Sequence, residues 1–206
     1  MKEKFNKKLL VEGIDDQHVL FALCQKFNIK ESFDIIDCKG IDNLLEQIPF
    51  RFKNGNDTIG IIIDADVNLE SQFLRLKKIV ESLGFKVPDK LPIDGFINLN
   101  ENNNKVGIWI MPNNQVAGML EDFITFLVPK DDKLLPIVDE TLNAIENQEK
   151  NKYKYIHKAK ARIHTWLSWQ EDPGTPMGLS ITKKYLTTED ENCKIFMNWI
   201  DKVFNN

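Results

Sequence analysis

The chain has 206 residues, of which 42% are hydrophobic and 28% charged, and its formal net charge at pH 7 is −4. These values are typical of a globular protein and exclude the disordered and fibrous classes. The negative charge argues against a protein that coats nucleic acid by bulk electrostatics, because such binding neutralises phosphates with Lys and Arg. A local basic patch is still compatible with a negative net charge. The length fits one domain, or one domain with a helical extension.

Cysteine usage and the N-terminal sequence indicate the compartment. Cys24, Cys38 and Cys193 form no CxxC pair and their number is odd, so we interpret them as reduced, buried thiols. The N-terminal sequence MKEKFNKKLLVEG begins with basic residues but has only three consecutive apolar ones. This pattern is typical neither of a signal peptide nor of a membrane span. We therefore expect a cytoplasmic protein that does not enter a membrane.

Strands and helices are predicted to alternate in the first part of the chain. The elements in chain order are strand 9–11, helix 15–27, strand 33–38, helix 41–52, strand 59–63 and helix 69–83. The third strand is continuously apolar, which is typical of a strand covered by helices on both faces, so it should be central.

Two further strands and several helices are predicted after this unit. Strands 95–99 and 106–111 enclose the polar run 100–104, a predicted hairpin tip. The remaining predicted helices are 119–127, 134–149, 155–169 and 191–204. The Gly and Pro residues within 171–178 indicate a rigid turn. The sequence predicts an α/β fold with a mainly parallel sheet and flanking helices over 1–128, and a helical extension packed on it over 129–206.

Acidic side chains follow the first and third predicted strands. Glu12 comes directly after the first strand, and Asp64 and Asp66 follow the third. The ligand crevice of a parallel sheet lies outside the carboxyl ends of its strands. Because side chains alternate along extended backbone, Asp64 and Asp66 should point to the same side. Convergent carboxylates suit Mg²⁺ (or Mn²⁺) and leave room for a phosphate oxygen, so we predict that Asp64 and Asp66 bind metal.

Helix capping is the alternative role for these acids. Asp15 or Asp16 could cap the first helix, and Asp66 or Asn68 the third. We favour capping for Asp15, and metal binding for Asp64 and Asp66 together. A receiver-like phosphoacceptor domain also clusters carboxylates at strand ends, but the long helical tail and the lack of a lone aspartate after the third strand disfavour it.

The motifs LLVEGIDD at residues 9–16 and IIIDAD at residues 61–66, separated by a helix, a strand and another helix, resemble the Toprim domain. This domain occurs in topoisomerases, bacterial primases, small rRNA-maturing ribonucleases and overcoming-lysogenization-defect nucleases. The resemblance covers about the first 125 residues. Among these groups, the chain is most similar to the small ribonucleases and the overcoming-lysogenization-defect nucleases. The resemblance implies that Asp64 and Asp66 hold Mg²⁺, and that Glu12 serves in acid–base chemistry or binds the metal.

The chain departs from many Toprim enzymes after Asp66. A third acid often continues the family's motif, whereas here Asn68 and Glu70 stand nearby. The chain has no zinc-ribbon cysteine set and is too short for the domain that carries the nucleophilic tyrosine of topoisomerases, so neither primase nor topoisomerase activity is expected. Glu121 and Asp122 open a later predicted helix and are further metal-ligand candidates, although the helix macrodipole alone would favour acids there.

A basic stretch lies in the predicted helical extension. Its cationic residues are Lys150, Lys152, Lys154, Lys158, Lys160 and Arg162. It could face a phosphate backbone or place a lysine at the scissile phosphate, and a solvated helix face is the alternative. Lys158 and Lys160 are the catalytic candidates, and Lys154 and Arg162 join them as candidates for nucleic-acid binding. Trp166 and Trp169 are expected to pack rather than to stack on bases.

The leading functional hypothesis is a Mg²⁺-dependent phosphodiesterase, a nuclease acting on DNA or RNA. The alternative is a non-autonomous Toprim regulatory or effector subunit that works with a partner ATPase, as in phage defence. The missing third acid and the negative net charge motivate this second hypothesis. The oligomeric state is open, with a homodimer among the options.

Overall fold

The computed structural model of the chain describes residues 3–205. Its strands are β1 (Lys7–Val11), β2 (Asp34–Asp37), β3 (Thr58–Asp64), β4 (Phe96–Leu99) and β5 (Lys105–Met111). They form one sheet in the order β2-β1-β3-β5-β4, in which β1 pairs in parallel with β2 and β3, and β3 with β5. Only the β4–β5 pairing within the described residues is antiparallel. The predicted α/β fold with a mainly parallel sheet is confirmed, and β3 is central.

Helices cover the sheet and make up the C-terminal part of the chain. They are α1 (Ile14–Lys26), α2 (Ile41–Lys53), α3 (Leu69–Ser82), α4 (Leu120–Phe126), α5 (Leu134–Asn147), α6 (Lys158–Ser168), α7 (Met177–Thr182) and α8 (Glu191–Phe204). A 3₁₀ turn, Tyr155–His157, precedes α6. The sequence pattern did not predict α7. Its N-cap is Pro176, so the end of the predicted turn is a helix start, a position where proline is well tolerated.

Two apolar clusters lie on opposite faces of the sheet, and β3 contributes to both. Ile61 and Ile63 pack with side chains of α2 and α3, whereas Ile62 packs with side chains of α1 and the C-terminal helices. This two-sided burial explains the uninterrupted apolar run of β3. The carboxyl ends of β1 and β3 are thereby fixed side by side between two layers of helices.

Helix α8 lies close against the sheet because two glycines make room for it. Gly60 of β3 and Gly107 of β5 are paired in register. A Cβ atom on Gly60 would lie 2.8 Å from Cζ of Phe204, and one on Gly107 would lie 2.6 Å from Cγ2 of Val203. Trp199 is also fully buried, so the apolar stripe of α8 is part of the core.

Two of the three thiols, Cys38 and Cys193, are buried as expected, whereas Cys24 is half-buried. Cys24, Cys38 and Cys193 are free, and burial raises the pKa of each to about 12. Within residues 3–205, no helix is long and apolar enough to cross a membrane.

Candidate metal centre

Backbone hydrogen bonds bring two of the predicted acids together at the carboxyl edge of the sheet. The amide of Asp64, the last residue of β3, donates to Oε1 of Glu12 over 2.8 Å. The amide of Leu120, the first residue of α4, donates to Oδ1 of Asp64 over 3.0 Å. The end of β1 and the start of α4 therefore both contact Asp64 at the end of β3, the first at its amide and the second at its carboxylate.

Asp64 lies at the centre of a group of acids. Burial raises its pKa well above the usual range, and the negative charges of Asp16, Glu12, Glu121 and Asp66 raise it further. Burial also raises the pKa of Glu12, an effect to which the charge of Asp66 adds and which the Asp64 amide opposes. We call these five residues the carboxylate cluster.

Asp16 is a member of the cluster that the sequence reasoning considered only as a helix cap. Burial raises its pKa to about 7, and the charges of Glu12 and Glu121 contribute to the shift. Its Oδ2 accepts a hydrogen bond of 3.0 Å from the Gly13 amide at the start of α1. The capping role expected of Asp15 therefore belongs to Asp16, which also faces the cluster, while Asp15 is exposed.

The backbone conformation at Asp66 is one that the sequence did not predict. Strand β3 ends at Asp64, and Asp66 has a left-handed backbone with φ of 50°. Aspartate tolerates this conformation better than most residues do. The Asp66 backbone forms an isolated antiparallel bridge with Gly118, and Oδ2 accepts a hydrogen bond of 3.3 Å from Gln72 Nε2. The assumption of extended backbone through Asp66 is wrong, although its charge still acts on Asp64.

The capping alternative holds for Asn68. Its side chain accepts a hydrogen bond of 2.9 Å from the Ser71 amide and caps α3. Glu70, the other residue considered in place of the third Toprim acid, is exposed in the first turn of α3. Neither residue appears among the charges that act on Asp64.

Glu121 and Asp122 occupy different positions at the start of α4. The Glu121 side chain is buried, and its Oε1 lies 3.3 Å from Nζ of Lys160. Asp122 instead accepts a hydrogen bond of 2.9 Å from the Met119 amide, and burial raises its pKa. Glu121 therefore belongs to the cluster, and Asp122 caps the helix.

The basic residues of α6 also differ in the acidic residues that they contact. Lys160 contacts Glu121, whereas Lys158 Nζ lies 2.6 Å from Oε2 of Glu146 on α5. Arg162 forms a two-pronged pair with Asp139 of α5, with distances of 2.5 and 2.8 Å. Of the two catalytic candidates, Lys160 is the one that touches the carboxylate cluster.

Three more side chains, two tryptophans and an arginine, differ in how far the sequence predicted their roles. Trp166 is buried, and its Nε1 donates to Oδ1 of Asp132 over 3.1 Å, so its packing role is confirmed. Trp169, at the end of α6, is 41% exposed, so the expectation that it packs is wrong for this residue. Arg75 of α3 was not singled out from the sequence, yet its charge lowers the pKa of Glu12 while it pairs with Asp42 over 2.5 Å.

Comparison with known proteins identifies the family but no activity. A family model described as "Protein of unknown function (DUF3226)" matches residues 6–205. The chain belongs to this family. No curated protein and no solved structure is detectably similar to it. The matched region contains β1 to α8 and therefore the sheet, the carboxylate cluster and the C-terminal helices of this chain.

The donor chemistry of this DUF3226 site fits a hard cation. All five members of the cluster are carboxylates, which are the ligands that Mg²⁺ and Mn²⁺ prefer. A cation would favour the charged forms of Glu12, Asp16 and Asp64, whose pKa values are raised. Across residues 3–205, no three His, Cys, Asp or Glu side chains converge into a complete metal site. Coordination would therefore require side-chain rotations that draw the carboxylates together.

Proposed function

We propose that the protein is a Toprim-type phosphodiesterase that depends on Mg²⁺ or Mn²⁺ and cleaves DNA or RNA at the carboxylate cluster. The observation that carries this proposal is that backbone hydrogen bonds tie Glu12 and the start of α4 to Asp64, where burial and the charges of the other four acids of the cluster raise the Asp64 pKa. Placing several acids around one half-buried carboxylate is costly without a counter-charge. Such arrangements are concentrated at functional sites.

Sheet topology supports the same location. The chain passes from β1 to β2 on one side and then returns to β3 on the other side of β1. In open α/β sheets, ligands bind where the strand order reverses, outside the carboxyl ends of the strands. Glu12 follows β1 and Asp64 ends β3, so these two acids stand at this reversal.

Four acids of the cluster and one lysine have roles in the proposed reaction. Asp64 and Asp66, with Glu12 and Glu121, would hold the cation. The bound ion would supply Lewis-acid activation of water and neutralise negative charge on the phosphate. Lys160, at 3.3 Å from Glu121, would place a second positive charge beside the phosphoryl group.

Cleavage by the full chain tests the proposal. Plasmid, single-stranded DNA and RNA are incubated with Mg²⁺, Mn²⁺ or EDTA. We expect cleavage of at least one substrate with metal and none with EDTA. Asp64→Asn should abolish it, whereas Asp15→Asn, a matched change at an exposed neighbour of the cluster, should leave it intact. Equal behaviour of the wild type and Asp64→Asn on every substrate would refute autonomous cleavage.

A second candidate is a Toprim effector subunit that acts only with a partner ATPase. The observation that favours it is that the carboxylates of residues 3–205 are gathered but do not converge into a complete metal site. A partner that pressed on α4 or on the loop before it would draw Glu121 toward Asp64. Copurification with an ATPase encoded beside this gene, and cleavage by the complex alone, would support this function. Efficient cleavage by the isolated chain would exclude it.

A further inference from the structure

Positive charge without acidic partners is concentrated just before α6. Residues 150–164 contain six Lys or Arg and no Asp or Glu. Three of these cations are neutralised by acids of other elements, in the pairs Lys158–Glu146, Lys160–Glu121 and Arg162–Asp139. The ammonium group of Lys150 donates to the neutral side chain of Gln148. In the described part of the chain, Lys152 and Lys154 pair with no carboxylate.

An exposed aromatic ring stands beside these lysines. Tyr155 is 85% exposed, and the adjacent Ile156 is 49% exposed. Tyr153, two residues earlier, is different: it packs against the core, and its hydroxyl donates to Oε1 of Glu146 over 2.7 Å. The structure thus uses one tyrosine of the segment to anchor it and leaves the ring of the other in solvent.

The backbone that carries Tyr155 is fixed. The His157 amide donates to the Lys154 carbonyl over 2.8 Å and closes the 3₁₀ turn Tyr155–His157, which runs directly into α6. Ordering the backbone beneath an exposed ring lowers the entropic cost of a later contact with a ligand. The Tyr155 ring and the two unpaired lysines therefore form an exposed surface on an ordered stretch of backbone.

This surface is connected to the carboxylate cluster through α6. Lys160, which contacts Glu121, lies five residues after Tyr155. With a rise of about 1.5–2.0 Å per residue, the two positions are roughly 8–10 Å apart along the helix axis.

We propose that Tyr155, Lys152 and Lys154 form a platform for single-stranded nucleic acid, with an unpaired base on the tyrosine ring and phosphates on the two lysines. The strand continues along α6 to the carboxylate cluster, so the inference rests on the proposed phosphodiesterase function and names its substrate class. A ring of this kind binds the face of an unpaired base and is sequence-tolerant. A duplex hides its base faces by stacking, and two unpaired lysines give it little backbone neutralisation.

Binding of a fluorescent single-stranded oligonucleotide to the full chain in EDTA tests the platform while cleavage is switched off. Tyr155→Ala should weaken binding by roughly 5-fold to 100-fold, the effect of losing one base–aromatic stack. Tyr155→Phe retains the ring and should bind like the wild type. Phe50→Ala removes another exposed ring, 63% exposed on α2, and should have no effect. Thermal unfolding of each variant checks that the fold is retained.

Salt dependence tests the lysines separately. Lys152→Ala/Lys154→Ala should lower the slope of log K against log salt by about 1.4, since each phosphate contact on a single strand contributes about 0.7. The control Lys86→Ala/Lys90→Ala changes the net charge equally at two exposed positions and should leave the slope unchanged. With a duplex oligonucleotide, the Lys152→Ala/Lys154→Ala and Lys86→Ala/Lys90→Ala variants should give indistinguishable slopes.

The outcomes separate this inference from the proposed function. Wild-type binding by Tyr155→Ala, equal loss in Tyr155→Phe, or no single-strand binding at all would overturn the platform, whether or not the chain cleaves. Tyr155-dependent binding without any cleavage in Mg²⁺ or Mn²⁺ would support the platform and count against the phosphodiesterase.

Discussion

Replacing Asp16 by asparagine should stabilise the protein in the absence of metal. The substitution removes one negative charge from the carboxylate cluster. It keeps an oxygen that can accept the hydrogen bond from the Gly13 amide, which spans 3.0 Å in the wild type. The helix start is therefore retained while the repulsion with Glu12 and Glu121 is lost.

The size of the effect follows from the shifted pKa of Asp16. Its ordinary value is 3.8 and its folded-state value is about 7. The folded state binds the proton of the Asp16 carboxyl more tightly than the unfolded state does. The free energy of unfolding is therefore highest below the ordinary pKa and falls as pH rises toward the folded-state pKa. At about 1.4 kcal/mol per unit, the loss above pH 7 is roughly 4 kcal/mol. Loss of a favourable charge near the helix N-terminus costs about 0.3–1 kcal/mol, leaving a net gain of about 3 kcal/mol.

Urea unfolding in EDTA at pH 5 and pH 8 measures this gain. We expect Asp16→Asn to exceed the wild type by about 3 kcal/mol at pH 8 and by about 1 kcal/mol at pH 5. The matched control Asp15→Asn changes an exposed acid of the same helical turn and should show no gain. If Asp16→Asn is no more stable than the wild type at pH 8, or if its gain does not depend on pH, the account of the cluster is wrong.

Three further substitutions test the packing and the site. Gly107→Ala should destabilise the fold by about 1–3 kcal/mol in chemical denaturation, because the new Cβ would lie 2.6 Å from Val203. Asn114→Ala should cost about 2–4 kcal/mol, since it removes buried hydrogen bonds to the Ile110 amide and the Ile93 carbonyl. Lys160→Met should lower cleavage at least 10-fold in a Mg²⁺ assay, the loss expected for a charge-stabilising group. Lys158→Met, two residues away and paired with α5, serves as its control and should stay active.

Much of the fold could be predicted because its signals are local. The apolar run of β3 and the 3.6-residue spacing of α1 and α8 each mark an element within one stretch of chain. Helix α7 was missed because Gly174 and Pro176 are typical of turns, and Pro176 occurs here as the residue that starts a helix. A local pattern does not distinguish these two uses of proline.

The site was predicted less completely because its remaining features depend on distant residues. The left-handed backbone of Asp66 accompanies a bridge to Gly118, which belongs to the loop before α4. Asp16 looks like a helix cap in the sequence, and only the approach of Glu121 shows that it also faces the cluster. No alternation rule within one strand could find either feature.

The two lysines of α6 illustrate the same limit. Lys158 and Lys160 are two residues apart, so they project about 200° apart around the helix. Which of them reaches the carboxylates depends on where α4 and α5 pack, and the structure assigns Glu121 to Lys160 and Glu146 to Lys158.

The central claim is that the carboxylate cluster binds a divalent cation. A crystal structure of the full chain grown with Mn²⁺, with anomalous diffraction data, tests it most directly. The account predicts a manganese peak within about 2.0–2.4 Å of carboxylate oxygens that include Asp64 and at least one of Glu12, Asp66 and Glu121. A structure with no manganese at Asp64, or with manganese bound only elsewhere, would contradict the claim.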